Sequence, residues 1–213
     1  HAPAVAELDA QRDGRRMLLR ADRTDLSKNI LRGLLAFEHL LERHPEHRER
    51  VWHLALLNPS RQDVPEYVAY LEACQKAADR IRERFGEHTL EFAVITDYPR
   101  VLAAFQLYDV LLTNPVIDGT NLVAKEGAVL NRNHGAIVLS RTAGATHVMG
   151  EDALLVNPYD VEDQAEKLQQ ALTMDADERS HRAKALREAA VRGRPSDWFA
   201  AQRARLSSIV HGR

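Results

Sequence analysis

The chain has 213 residues, 45% of them apolar and 28% charged, and its 29 Lys and Arg against 31 Asp and Glu give a formal net charge of −2. That is the balance of a globular protein with a continuous core, and no apolar run approaches the roughly 18 residues of a membrane-spanning helix. A charge this close to zero argues against DNA or another polyphosphate as the main partner, and the single cysteine, Cys74, rules out an internal disulfide framework and a cysteine-based metal cage.

His1 to Asp9 carry neither a basic leader nor an apolar stretch, so no secretory signal is visible, though a cut from a longer chain would read the same. Residues 1–15 are polar and without pattern, and read as a short arm. Residues 16–195 read as one Rossmann-like domain in which strand runs alternate with helical patterns. Met17-Leu-Leu-Arg-Ala leads into Ile30, Leu34, Phe37 and Leu41, a one-face helical spacing closed by Pro45. Val51 to Leu57 is the next apolar run. Val64, Val68, Leu71, Ala78, Ile81 and Phe85 mark a long amphipathic helix with Asp63 as its cap and Gly86 as its stop.

The alternation predicts a strand over Leu90–Thr96, a helix over Pro99–Leu107 and a buried strand over Asp109–Thr113. A helix over Asn121–Asn131, strands at Ala136–Ser140 and Ala153–Val156, and a helix over Val161–Leu172 follow. Residues 175–192 are charged and Ala-rich, and 196–213 hold a C-terminal helix. Such alternation implies an α/β fold, a doubly wound parallel sheet covered on both faces. Ligands of these sheets bind beyond the carboxyl ends of the strands.

No G-x-G-x-x-G, P-loop or G-x-S-x-G occurs, which removes the usual support for a nicotinamide dehydrogenase, a P-loop NTPase or an α/β-hydrolase. His44 and His47 are the closest histidine pair, but two ligands in a charged, Pro-broken segment do not make a metal site. Cys74 reads equally as a small buried hydrophobe. Asp118-Gly-Thr has the outline of a phosphatase loop, yet Val116 stands where the nucleophilic aspartate would have to be.

Two stretches remain. Arg23 and Lys28 lie in one loop after the first strand, where a planar fork and a point charge could converge on a diphosphate; the alternative is two solvated loop charges. In Thr113 to Glu126 a buried strand runs into a glycine turn and a helix start, whose free N–H groups suit an anion. Asp118 and Glu126 there could accept hydrogen bonds from hydroxyls, the combination a nucleotide sugar needs. The alternative is an ordinary turn with a capped helix and a surface glutamate.

In order and spacing these stretches resemble glycosyltransferase family 20, the trehalose-6-phosphate synthases and their relatives. Arg23-Thr-Asp-Leu-Ser-Lys-Asn is similar to the family's R-x-D-x-S-K-G, and Asp118-Gly-Thr-Asn-Leu-Val-Ala-Lys-Glu to its D-G-M-N-L-V-A-K-E. Pro59-Ser-Arg, Leu139-Ser-Arg-Thr-Ala-Gly-Ala and Val156-Asn-Pro-Tyr-Asp add to the likeness, which runs from about residue 17 to 206. The sequence departs at Ile117, where the family has Arg, at Thr120 for Met, and at Asn29 for Gly.

The resemblance implies the C-terminal, donor-binding half of a GT-B enzyme, a cytoplasmic hexosyltransferase that retains configuration and uses neither cofactor nor metal. It implies that Arg23 and Lys28 contact the donor diphosphate and act catalytically on the leaving group. Asp118 would bind sugar hydroxyls, the backbone of Gly119, Thr120, Asn121, Leu122 and Val123 would meet sugar and phosphate, and Glu126 the ribose. Tyr98–Arg100 would lie near the base. The implied partners are a UDP- or GDP-glucose type donor and an N-terminal domain carrying the sugar-phosphate acceptor site. No nucleic acid or membrane is implied, and a homo-oligomer stays open. Ser196-Asp-Trp-Phe would return toward the other domain. The implied reaction moves glucose from a nucleotide glucose to glucose 6-phosphate. Two alternatives are a pseudo-glycosyltransferase of the validoxylamine-phosphate synthase kind, coupling a nucleotide cyclitol to a cyclitol phosphate, and a non-catalytic nucleotide-sugar sensor.

Overall fold

The structure, a computed structural model, describes residues 2–192 and 195–211. Its centre is a six-stranded sheet formed by β1 (Arg16–Arg23), β2 (Val51–Asn58), β3 (Leu90–Val94), β4 (Val110–Thr113), β5 (Ala136–Ser140) and β6 (Leu154–Val156). The strand order is β3-β2-β1-β4-β5-β6, and every adjacent pair is parallel. This is the doubly wound arrangement, and the order of winding reverses between β1 and β4.

Successive side chains of a strand point to opposite faces, and β1 shows the consequence. Leu18 packs into one core with α2 (Ile30–Arg43), α3 (Pro65–Phe85) and α7 (Val161–Thr173). Met17 and Leu19 pack into the other core, under α1 (Ala2–Arg12), α4 (Tyr98–Leu107), α5 (Leu122–Leu130) and α8 (Ala176–Ala190). A short helix, α6 (Thr146–Met149), adds Met149 to that second core. With both faces covered, the central strands are apolar almost throughout rather than alternating. No described helix is long and apolar enough to cross a membrane.

Several local expectations are corrected. Where the sequence reads as a polar arm, Ala2–Arg12 form α1, and Leu8 is buried in the second core. The signal was weak because only Leu8, with Ala4 and Val5 half-buried beside it, anchors a helix that is otherwise polar. Asp63 does not cap α3. The cap position is Val64, without a side-chain bond, and Pro65 starts the helix, where its missing N–H costs nothing. The segment 175–192 contains α8, whose first amides, Asp177 and Glu178, donate to the Asp175 carboxylate. The terminal helix, α9 (Pro195–His211), exposes Trp198, Phe199, Leu206 and Ile209.

Candidate active site

At the carboxyl end of β1 the chain leaves the sheet at Arg23 and makes a 3-10 turn over Leu26–Lys28. Asp25 organises that turn, accepting from the Ser27 amide at 3.0 Å and the Ser27 hydroxyl at 2.8 Å. Partial burial works against its charge, but those bonds and the nearby Arg23 hold its carboxyl below the usual carboxylate range. Asn29 follows in the left-handed conformation, φ 58° and ψ 37°. The motif this loop resembles has glycine at this position, and asparagine is the side-chain-bearing residue best suited to that backbone. The departure therefore preserves the turn, and the Asn29 Nδ2 adds bonds to the carbonyls of Asn114 (3.0 Å) and Pro158 (2.6 Å).

The second loop leaves β4 at Thr113 and runs to α5. Its Asp118 forms a parallel bridge with Ala143, and the Gly144 amide donates to the Asp118 carbonyl at 3.0 Å. Only glycine fits at 144, because a Cβ there would lie 1.6 Å from the Gly119 carbonyl oxygen. This close approach gives the Leu139–Ala145 stretch a physical meaning: it supports the Asp118 turn from beneath. Asn121, also left-handed at φ 53°, caps α5 by accepting from the Ala124 amide at 2.9 Å, and its Nδ2 donates to Asp118 Oδ2 at 3.3 Å.

The two loops meet across the switch between β1 and β4. The Val116 amide donates to the Ser27 carbonyl at 2.8 Å, and Lys28 Nζ lies 2.6 Å from Asp118 Oδ2. Asp22, at the end of β1, adds a second carboxylate 3.9 Å from that ammonium. Burial pushes the Asp22 carboxyl up to about 6, opposed by the charges of Arg20 and Lys28. Arg23 stands more exposed, its guanidinium 3.8 Å from Asp25.

A cleft of about 270 Å³ opens beside these groups, lined by Asp22, Arg23, Lys28, Asn58, Tyr98, Val123 and Glu126 among others. Two of the expected cations and one expected carboxylate thus share one cavity with Val123. Asp118 reaches it through Lys28. Gly119 and Thr120 lie exposed on the same loop, as does Ile117; Leu122 is exposed at the first position of α5, and Asn121 is buried as the cap. Tyr98 lines the cleft and is well exposed, but Arg100 turns away to a two-pronged pair with Glu91, at 2.6 and 2.9 Å. Tyr98–Arg100 is the first turn of α4 rather than a loop, capped by Asp97.

Sequence reasoning missed Arg20, Asp22 and Asn114, the polar groups beneath the loops. A signal existed: two charged residues inside a strand that is otherwise apolar, in a sheet buried on both faces, need partners. Larger grooves of about 760 and 680 Å³ lie elsewhere, against α1, and do not hold the paired loops. Among the described residues, no three His, Cys, Asp or Glu are grouped to hold a metal ion. His47 is instead buried against Gln169, and His44 pairs with Glu46 at 3.2 Å. Cys74 is buried in the first core.

A model of glycosyltransferase family 20 matches residues 2–208. The probable UDP-forming α,α-trehalose-phosphate synthase 2 of Arabidopsis thaliana is 37% identical over 183 residues, which is 83% of this chain and 22% of the relative. The UDP-forming α,α-trehalose-phosphate synthase structure from Burkholderia vietnamiensis superposes with a TM-score of 0.88 at 30% identity, covering 99% of this chain and 50% of that one. A trehalose-6-phosphate structure from E. coli bound with UDP-2-fluoro glucose gives 0.88 at 31%, over 96% of this chain and 46% of that one. The chain spans about a fifth of the plant relative and about half of the bacterial chains. With both loops and the parallel sheet in place, this chain belongs to glycosyltransferase family 20.

Proposed function

We propose that the chain is the donor-binding half of a retaining, metal-independent hexosyltransferase that passes glucose from a nucleotide glucose to glucose 6-phosphate in the cytoplasm. The observation that carries this is the meeting of two loops across the strand switch, with Lys28 2.6 Å from Asp118 and with Arg23 and Glu126 on one cleft. In this reading Arg23 and Lys28 bind the diphosphate and stabilise the charge that grows on it as the glycosidic bond breaks. Asp118, an acceptor only, takes the hydrogen bonds that the sugar hydroxyls donate. Glu126 takes the ribose hydroxyls, Tyr98 borders the base, and the amides of residues 119–123 meet sugar and phosphate. The acceptor site belongs to a second Rossmann-like half, which closes over the donor and excludes water.

The test is a titration with UDP-glucose, GDP-glucose, a nucleotide cyclitol and the free diphosphates. The chain is expected to bind a diphosphate weakly and to prefer a nucleotide glucose to the cyclitol. Asp118→Asn should weaken the nucleotide sugar and spare the free diphosphate. Transfer to glucose 6-phosphate is expected only when the N-terminal half is supplied, fused or in trans. Stronger displacement by the cyclitol would move the protein to the pseudo-glycosyltransferase branch. Donor binding without transfer in the completed protein would make it a sensor, and transfer by the 213 residues alone would refute the division of labour.

A further inference from the structure

Arg20 heads the side chains wholly removed from solvent, and it interrupts β1 within an apolar run. Desolvating a guanidinium costs on the order of several kcal/mol unless its partners offset the loss. Its partners here are specific. Nη1 donates to Asp22 Oδ2 at 2.9 Å and to the carbonyl of Lys28 at 3.1 Å, while Nη2 donates to Asn114 Oδ1. Asn114 passes the connection on, through Nδ2, to Gln164 of α7 at 2.6 Å and to the Asn29 carbonyl at 3.3 Å.

The surroundings are shaped to hold this group. Gly33 of α2 lies directly over it: a Cβ there would come within 2.8 Å of Arg20 Nη2 and 3.2 Å of Leu112 Cδ2. On the sheet side, His53 is fully buried, with its ring edge-on to Phe37 at 4.8 Å. Burial first and the Arg20 charge second push its pKa down to about 3, so it stays neutral and brings no competing cation.

A core alone would be served as well by an apolar residue of similar volume, since buried ion pairs seldom add net stability. What distinguishes Arg20 is where its bonds end. One takes the backbone carbonyl of Lys28, and another takes the carboxylate lying 3.9 Å from the Lys28 ammonium. The third takes the residue after β4, on the way to Asp118. We propose that Arg20 is a positioning residue for the donor site: one buried guanidinium holds both ends of Lys28 and ties its loop to the loop that carries Asp118. Arg20 itself contacts no substrate. The proposal rests on the donor-site reading given above.

A double-mutant cycle on the chain tests it, with UDP, GDP and their bare nucleosides as probes. Arg20→Met is expected to weaken diphosphate binding about tenfold, the scale of a lost orienting contact, and to change nucleoside binding less than about twofold. In a Lys28→Ala background the same substitution should cost less than about twofold, because the two residues act through one contact. Arg20→Met leaves Asp22 without its nearest cation, so Gly33→Ala is the second variant; it displaces the guanidinium while keeping the charge. Its smaller loss should likewise vanish when Lys28 is Ala. Equal losses in both backgrounds, or a matching loss for the nucleoside, would reduce Arg20 to a structural role and overturn the proposal. If the parent chain binds neither diphosphate, the donor reading falls and the positioning role falls with it. If the parent binds and the variants are additive, the positioning role falls alone.

Discussion

At the amino ends of the strands, Asp109 accepts from the Met17 amide at 2.8 Å and from Asn133 Nδ2 at 3.1 Å, with Arg179 at 3.4 Å and Arg12 at 3.7 Å around it. At the carboxyl ends, Asp22 takes Arg20 at 2.9 Å and shares Lys28, at 3.9 Å, with Asp118. Both aspartates are buried and both face cations. The difference lies in what those cations do next. Those around Asp109 come from α1 and α8 and lock helices onto the sheet. The lysine beside Asp22 lines a cleft, where in the proposed function it exchanges its carboxylate partners for phosphate oxygens. The first cluster joins helices to the sheet, whereas the second places a cation on the wall of a cleft.

Asp109→Ala should break this comparison most severely. It strands a strand amide and Arg179, while Arg12 keeps Asp9 at 2.9 Å, so about 2–3 kcal/mol of unfolding free energy should be lost in chemical denaturation. Diphosphate affinity of the folded fraction should not change, and a parallel loss of binding would show that the two ends are coupled. Asp109→Asn keeps an acceptor for Met17 and should cost less.

Lys28→Ala should do the reverse. We expect nucleoside diphosphate binding to weaken by roughly 1.5–3 kcal/mol, the value of a charge-assisted hydrogen bond, with little change for the bare nucleoside. Calorimetric titration of both ligands reads this directly, and equal losses would take Lys28 out of the diphosphate site.

The third effect is on pH dependence. The Asp22 carboxyl titrates at about 6 in the folded chain against an ordinary 3.8, because burial outweighs Arg20, Lys28 and Arg23, with Asp118 adding to the rise. The folded state therefore binds this proton more tightly than the unfolded one. Between about pH 4 and pH 6, stability contributed by this group falls as pH rises. Asp22→Asn removes the titration, so its denaturation midpoint should follow a flatter pH profile across that window. Identical slopes for parent and variant would place the Asp22 titration elsewhere.

The alternation of Met17–Ala21, Val51–Leu57 and Ala136–Ser140 with amphipathic helices was sufficient to read a doubly wound sheet, because strand and helix periods are local properties of a chain. The Arg23–Asn29 and Asp118–Glu126 stretches were legible for the same reason. Each is one continuous segment at a strand end or helix start whose turn residues and charges sit within nine positions. What no local pattern could supply was the distance between them: 90 residues separate Lys28 from Asp118, yet the atoms lie 2.6 Å apart. The burial of Arg20 escaped as well: Asp22 and Lys28 are near it in the chain, but Asn114, 94 residues on, joins them only when β1 pairs with β4. So did α1, a helix held by Leu8 against a core that the other helices build. Periodicity and turn chemistry are written in the order of residues. Which buried charge answers which, and which loop faces which, depends on long-range closure of the sheet, and that closure alone brought the second aspartate to the lysine.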